Sequence, residues 1–320
     1  MQPSTFYYGK HVLVTGSTGL IGANLIQELA RRGASVRATL HVKDPVVENE
    51  NVSYVRCDLT RAEDCIRVVE GMDYAFLCAA NTSGAYTIET NPLVHVTDNL
   101  IMNVKMLEAT ADVDRCLFIS SSTVYPPVDY PVKEAEAFLG DPHPSYFGSA
   151  WMKRYSEKLA QFHSERYGRK IIVVRPTNVY GPFDKFDFGT SHVLPALIRR
   201  AVEKQNPFEV WGDGSAVRDF VYVSDMVEAM LRAMERWTHF EPYNIGSGNP
   251  VTIRESLEMI LRLAQHQGAE VIYDASKPTT IPVRRVDLTK AREELGFQAR
   301  FSLEEGLQKT IEWYCSHRGV

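Results

Sequence analysis

The stretch Val12-Leu13-Val14-Thr15-Gly16-Ser17-Thr18-Gly19-Leu20-Ile21-Gly22 constrains this chain more than any other. Its apolar start reads as a buried parallel strand, and Ala23 to Arg32 continues as a helix former with Leu25, Ile26 and Leu29 on one face. The glycines between them have separate tasks. One permits a tight turn, one lets backbone N–H groups approach a pyrophosphate, and one lets helix and strand pack closely. The helix N-terminus adds unpaired donors and the positive end of a dipole. Strand, glycine turn and helix in this order point to a bound dinucleotide, with Gly16, Ser17, Thr18, Gly19, Leu20, Ile21 and Gly22 as its contacts. The alternative is a glycine-rich turn that holds nothing.

Strand-like and helix-like segments alternate through the first half. Strands are expected at His11–Thr15, Ser35–Thr39, Val52–Cys57, Tyr74–Ala79, Cys116–Ser120 and Lys170–Arg175; helices follow at Ala62–Glu70, Leu93–Ala111 and Ala150–Tyr167. This order predicts an α/β fold, a doubly wound parallel sheet covered by helices on both faces, with ligands outside the carboxyl ends of the strands. After Pro176, proline, glycine and aromatic residues separate shorter elements. We therefore expect a dinucleotide-binding lobe over 1–180, rejoined by a segment near 220–247 in which Tyr243–Ile245 is the candidate strand. The rest of 181–320 is expected to form a smaller α/β substrate lobe. A chain of 320 residues with 44% hydrophobic composition can bury a core of that size.

The charge balance narrows the partners. A formal net charge of −5 without a dense Lys/Arg block argues against nucleic acid. The opening Met-Gln-Pro-Ser-Thr-Phe-Tyr-Tyr has no apolar signal core, and no run approaches the roughly 18 apolar residues of a membrane span. Cys57, Cys65, Cys78, Cys116 and Cys315 lack CxxC spacing and read as reduced thiols, with no metal site. A cytoplasmic location is expected.

Several residues at strand ends carry chemistry. Asp58, followed by Leu59, could accept from an adenine amino group or be a solvated strand-end carboxylate. Cys78-Ala79-Ala80 closes a strand with small residues, as close passage of a cofactor or tight packing would require. NAD-binding folds usually place an acid at the end of the second strand, on the ribose 2′-hydroxyl. That position falls near Leu40, where His41 and Lys43 could meet a 2′-phosphate and Arg37 alternates away. The cofactor is thus NADP or NAD, with a lean toward NADP. Ser120-Ser121-Ser122-Thr123-Val124-Tyr125 ends another strand in hydroxyls, able either to bond a substrate oxygen or to shape a turn. Ser149 and Lys153, four apart, share one helix face.

These residues resemble the extended short-chain dehydrogenase/reductase family, in particular its nucleotide-sugar epimerases, dehydratases and reductases, with a Rossmann fold. The resemblance covers nearly the whole chain. It rests on the opening glycines, on Ser120 to Tyr125, on Arg175-Pro176-Thr177-Asn178-Val179-Tyr180-Gly181-Pro182, on Trp211-Gly212-Asp213-Gly214 and on Arg218-Asp219-Phe220-Val221-Tyr222-Val223-Ser224-Asp225. Ser191-His192-Val193-Leu194-Pro195-Ala196-Leu197 looks most like the GDP-fucose synthases, which combine epimerisation with reduction. The resemblance implies that Ser121 bonds the reacting sugar oxygen and that Lys153 holds the nicotinamide ribose and lowers the pKa of a catalytic tyrosine. Thr123 and His192 then occupy the positions of an epimerising base and acid. Asn178, Arg218 and Arg284 hold a nucleoside diphosphate, arginine being suited to bidentate bonds with phosphate. Trp211 faces the substrate or only packs its lobe. Further cofactor contacts are His41, Asp58, Leu59, Ala79, Ala80 and Pro176. The implied partner is a nucleotide-diphosphate sugar, and the implied assembly is a homodimer through the helix carrying Lys153 and the long helix before it.

One departure bears on the chemistry. The family's tyrosine precedes its lysine by four residues, and that position is Ser149. A phenol can be brought toward neutral pH by a neighbouring ammonium, whereas an aliphatic hydroxyl is far less acidic. Four readings stay open: Tyr146 reaches the site from one turn earlier; Ser149 relays a proton through water to Lys153; Ser149 is an introduced substitution; or the chain binds a nucleotide sugar, or a dinucleotide, without turning it over. A reductase of non-nucleotide ketones is a further alternative, disfavoured by Asn178 and Arg218.

Overall fold

The computed structural model describes residues 5–82, 84, 90–277 and 280–317. Seven parallel strands form the central sheet: β1 (His11–Val14), β2 (Ser35–Leu40), β3 (Val52–Arg56), β4 (Tyr74–Leu77), β5 (Arg115–Ile119), β6 (Ile171–Pro176) and β11 (Glu241–Ile245). Their spatial order is β11-β6-β5-β4-β1-β2-β3. The chain reverses direction across the sheet between β1 and β4, and a crevice opens outside the carboxyl ends of strands at such a switch point. Tyr74 to Leu77 and all six residues of β6 are buried, as expected of strands covered on both faces.

Helices α1 (Leu20–Arg31), α2 (Ala62–Val69), α3 (Thr97–Ala109) and α4 (Phe147–Tyr167) connect these strands. α3 packs on both α2 and α4. α3 is shorter than the sequence predicts: Pro92–His95 is a separate 3-10 turn, and the α-helix begins only at Thr97. Polar bonds explain the break. Asn99 Nδ2 donates to the carbonyls of Asn81 and His95, and the Asn81 N–H donates to Asn99 Oδ1, so the turn is tied to the loop after β4. α4 begins three residues earlier than expected, its first turn following directly on the Pro144–Tyr146 3-10 turn.

Beyond β6, β7 (Asn178–Tyr180) pairs with β10 (Phe220–Tyr222), β8 (Phe208–Trp211) with β13 (Val271–Asp274), and β9 (Val217–Arg218) with β12 (Val251–Thr252). Helices α5 (Val193–Val202), α7 (Ile253–Leu263) and α9 (Leu303–His317) pack together around these small sheets, and the short α8 (Thr289–Leu295) lies against β11. α6 (Val223–Arg236) lies against α1, and β11 pairs in parallel with β6. Among the described residues no helix is long and apolar enough to cross a membrane.

Candidate active site

The glycine turn is shaped by what surrounds it. Gly16 has φ +69°, and a Cβ there would lie 2.8 Å from Ala79 Cα, so the turn passes directly over Cys78 and Ala79. A Cβ on Gly22 would run into the Gly16 carbonyl, which is the close helix-to-turn packing the sequence predicts. Gly19 differs: a Cβ there would meet only Gly16 O, at 3.5 Å. No side chain caps the first turn of α1, so its donors face that open space. Thr15 and Thr39, neither singled out from sequence, brace the turn. Thr15 Oγ1 accepts from Cys78 N and Ala79 N, each at 3.0 Å, and Thr39 Oγ1 accepts from Gly16 N at 3.1 Å. The Ser17 hydroxyl points inward and donates to Thr39 O, so it secures the turn rather than facing the crevice.

The adenosine end is more open. His41 is exposed after β2, and Arg56 donates to the His41 carbonyl and to Asp44, adding a cation to that end. Arg37 donates to the carbonyls of Val68 and Glu70 on the other side of the sheet edge. Asp58 Oδ1 accepts from the N–H and hydroxyl of Thr60, which hold its carboxyl below the usual range; Leu59 is buried beside it. Pro176 ends β6 opposite Ile245.

Lys153 lies on the inner side of α4, half-buried, with Nζ 2.7 Å from Ile119 O and 4.8 Å from the centre of the Phe118 ring. Burial pulls its pKa down to about 8, against the opposing pull of Glu157 and Cys78. Ser121 stands two residues beyond Ile119. Its Oγ accepts from Thr123 N (3.2 Å) and from Thr123 Oγ1 (3.0 Å), so the two hydroxyls form one unit. Ser149 Oγ donates to Tyr146 O at 3.2 Å, within the first turn of the helix.

Tyr146 comes together with Arg218 and Arg284. Both guanidinium groups are buried, at 9% and 5% exposure, and both have pKa values pulled down by that burial, Arg284 to about 10; the Tyr146 phenol is the leading group opposing the shift in each. Arg218 bonds to Val217 O, Pro282 O and Thr280 Oγ1, whereas Arg284 Nη2 is buried without a hydrogen-bond partner. No carboxylate among the described residues forms an ion pair with either arginine. Two adjacent buried cations with an unsatisfied donor and no counter-ion are the donor set that a diphosphate would complete. Asn178 lies on the neighbouring strand, donating to Asp219 O. Trp211 is placed otherwise: its indole N–H donates to Glu209 Oε1 on β8.

His192 directly precedes α5, in the loop that follows β7, with Lys185 and His95 as its charged neighbours. As a residue it is exposed, yet burial of its ring by surrounding protein, with Lys185 and His95 adding, pushes its pKa down to about 4. Lys185 Nζ donates to Thr82 O (2.5 Å) and Gly84 N donates to Thr190 O, so this loop is bridged to the segment after β4. His95 and Lys185 escape sequence reasoning because they reach His192 only through these long-range bridges.

Residues 12–246 match the family model described as NAD dependent epimerase/dehydratase. The chain is 31% identical to a GDP-L-fucose synthase of Sinorhizobium fredii, over 99% of each chain. The chain belongs to the NAD dependent epimerase/dehydratase family. It is also 31% identical to a dTDP-4-dehydro-6-deoxy-D-allose reductase of a Streptomyces species, over 97% of this chain and 98% of that one. Its fold superimposes on a UDP-glucose 4-epimerase of Thermotoga maritima bound to UDP-glucose, with a TM-score of 0.83 and 27% identity over 96% and 99% of the two chains. The parallel sheet and Rossmann-like architecture predicted from sequence are those of the family. The open face of Gly19 and the uncapped first turn of α1 fit the dinucleotide that the family's name implies.

Proposed function

We propose that this protein is an NAD(P)-dependent nucleotide-sugar epimerase/reductase of the GDP-fucose-synthase kind, acting at C4 of the sugar. The observation that carries the substrate class is the buried Arg218–Arg284 pair without a counter-ion. With Asn178 it would hold the nucleoside diphosphate of a nucleotide sugar, and Trp211 would line the sugar's lobe. Gly16 to Gly22, Asp58, Leu59, Ala79, Ala80 and Pro176 would hold the dinucleotide, with Lys153 on its nicotinamide ribose. When bound, the nicotinamide supplies a hydride acceptor or donor. The exposed His41 and Lys43, with no acid at Leu40 where NAD-binding folds place one and with Asp44 paired to Arg56, favour a 2′-phosphate and hence NADP.

In this reading Ser121 bonds the reacting oxygen and Lys153 stabilises the charge developing near it. Tyr146, or water held by Ser149, brings the proton. Reduction needs no more than this. Epimerisation would draw on Thr123 and His192. Thr123 already donates to Ser121, so the reductive step is the better supported of the two.

A second copy of the chain would cover the outer face of α4, where Phe147, Trp151, Tyr155 and Phe162 are exposed.

The reading is tested by incubating the protein and NADPH or NADH with GDP-, UDP- and dTDP-linked sugars, including 4-keto-6-deoxy forms, in D₂O. Mass spectrometry of the products should show a reduced sugar or ring deuterium. Binding with every sugar returned unchanged would favour a silent nucleotide-sugar binder, the outcome Ser149 argues for. Ser149→Tyr should then raise turnover by at least about 10²-fold, the contribution of a positioned general acid. If the wild-type turns over, Tyr146→Phe should cost about as much; a near-normal rate would leave Ser149 and water as the proton path.

A further inference from the structure

Arg175 is the charged residue of the otherwise apolar strand β6, and it is 2% exposed. Its guanidinium is bonded in every direction. Nε and Nη2 donate to the two oxygens of Glu157, at 3.0 and 2.6 Å, and Nη1 donates to Tyr125 Oη (2.9 Å) and to the Glu134 carbonyl (2.8 Å). The Tyr125 hydroxyl donates in turn to Asn244 Oδ1 at 2.5 Å, and Asn244 N donates to Glu134 Oε1. One polar knot thus joins β6, β11, α4 and the turn that follows β5. An ion pair this deeply buried is seldom more stabilising than apolar residues of the same volume. What it holds in place is therefore the more informative question.

Two things meet there. Glu157 follows Lys153 by four residues on the same face of α4. Tyr125 follows Ser121 by four residues, just past the 3-10 turn Ser122–Val124. Lys153 Nζ already reaches back to Ile119, and Arg154 Nε donates to Val124 O at 2.8 Å. The knot therefore fixes the lysine's helix and the hydroxyl-bearing turn to one anchor.

We infer that Glu157, clamped by Arg175, is a positioning residue for Lys153: it anchors the helix turn that carries the lysine and supplies the opposite charge its ammonium faces. The groups around Lys153 are few: Glu157 on its own helix with Arg175 of β6 bonded to it, Cys78 at the end of β4, and the Ile119 carbonyl and Phe118 ring on β5. Burial raises the Cys78 thiol pKa, so it is uncharged at neutral pH. That leaves Glu157 as the carboxylate opposing the desolvation of the ammonium. Without its charge, Lys153 would titrate below its present value of about 8.

The functional consequence rests on the reading of Lys153 as the cation on the cofactor ribose, so the test has two arms. In the first, the protein is labelled with [ε-¹³C]lysine and titrated by NMR without cofactor, Lys153 being assigned by Lys153→Arg. Glu157→Gln should lower the Lys153 midpoint by on the order of one pH unit, the effect of losing a neighbouring opposite charge. A purely structural role would lower the melting temperature and leave the midpoint where it is; that result overturns the inference. Should Glu157→Gln fail to fold, Glu157→Gln with Arg175→Met removes both buried charges and is titrated instead; a midpoint below that of Arg175→Met alone supports the inference, and an equal one overturns it. In the second arm, NADH affinity is followed by fluorescence from pH 6.5 to 9. The Glu157→Gln protein should lose affinity at lower pH than the wild-type. If Lys153→Ala leaves NADH affinity unchanged, the cofactor role of Lys153 falls, while the NMR arm still decides the role of Glu157.

Discussion

At the scale of single residues, the buried arginine pair sets a cost in stability against the diphosphate-binding role proposed for it. Arg284 is almost wholly buried, lies beside another buried cation, and keeps one nitrogen without a partner. A buried charge without a counter-ion is destabilising, and such groups persist where a ligand completes them. Arg284→Met should therefore separate two quantities. The melting temperature of the free protein should hold or rise, because a repulsive, unsatisfied cation is gone. The affinity for a nucleoside diphosphate, read by calorimetry with GDP and UDP, should fall by roughly 10- to 150-fold, the equivalent of about 1.5–3 kcal/mol for a lost charge-assisted bond. Unchanged affinity would remove Arg284 from the diphosphate site. The type of this residue is readable in the sequence, but its lack of a counter-ion is not, because that depends on which carboxylates the fold keeps away. The Arg175–Glu157 pair was missed in the same way, although one signal was present: an arginine that continues the buried run Ile171-Ile172-Val173-Val174 must find a buried partner. Which of the many glutamates serves it is settled only by the packing of α4 on β6.

At the scale of elements, β4 and β6 were legible because they are buried on both faces and so appear as short apolar runs, and the remaining strands of the sheet were placed with a boundary error of one or two residues. The break between His95 and Thr97 was not. It arises from the bonds of Asn99 and His95 to Asn81, residues whose proximity depends on the strand order and not on local periodicity. The glycine turn was the most legible element because its constraints are local, and it supports a comparison of two substitutions. Gly22→Ala places a methyl against the Gly16 carbonyl, so the turn must shift. Both stability and NADH affinity should fall, by more than about 1 kcal/mol each, in the range of overpacked sites. Gly19→Ala meets nothing closer than 3.5 Å, and stability should change by less than about 1 kcal/mol, as for other helix-cap exchanges. Its methyl does enter the space left for a pyrophosphate, so NADH affinity should still drop. Thermal melts with and without NADH read both effects. If Gly19→Ala binds NADH like the wild-type, the pyrophosphate does not pass over that residue.

At the scale of the whole molecule, α4 presents a contradiction that a single chain does not resolve. Its inner side buries Ala150, Met152, Ser156, Glu157, Ala160 and Ser164, and its outer side carries Phe147, Trp151, Tyr155 and Phe162 at 60%, 39%, 55% and 52% exposure. A helix on the surface of a monomer is expected to be polar on its outer face, and aromatic residues collected there are the composition of an interface core. The first three lie four apart, so they line up along one side of α4. Two copies related by a two-fold axis could bury this strip against itself, since an isologous contact requires the same patch on both partners. Sedimentation at micromolar concentration should therefore give a dimer, and Trp151→Lys with Tyr155→Lys should give a monomer. Lys153 and Glu157 point to the other side of the helix, so this monomer should still bind NADH, with an affinity lowered only as far as α4 loses rigidity. A wild-type monomer at tens of micromolar, where interfaces of the standard size of roughly 800 Å² per partner are normally formed, would refute the pairing. In a dimer, the helix that positions Lys153 would be held from both sides: by the Arg175 knot within the chain and by its partner's aromatic strip from outside.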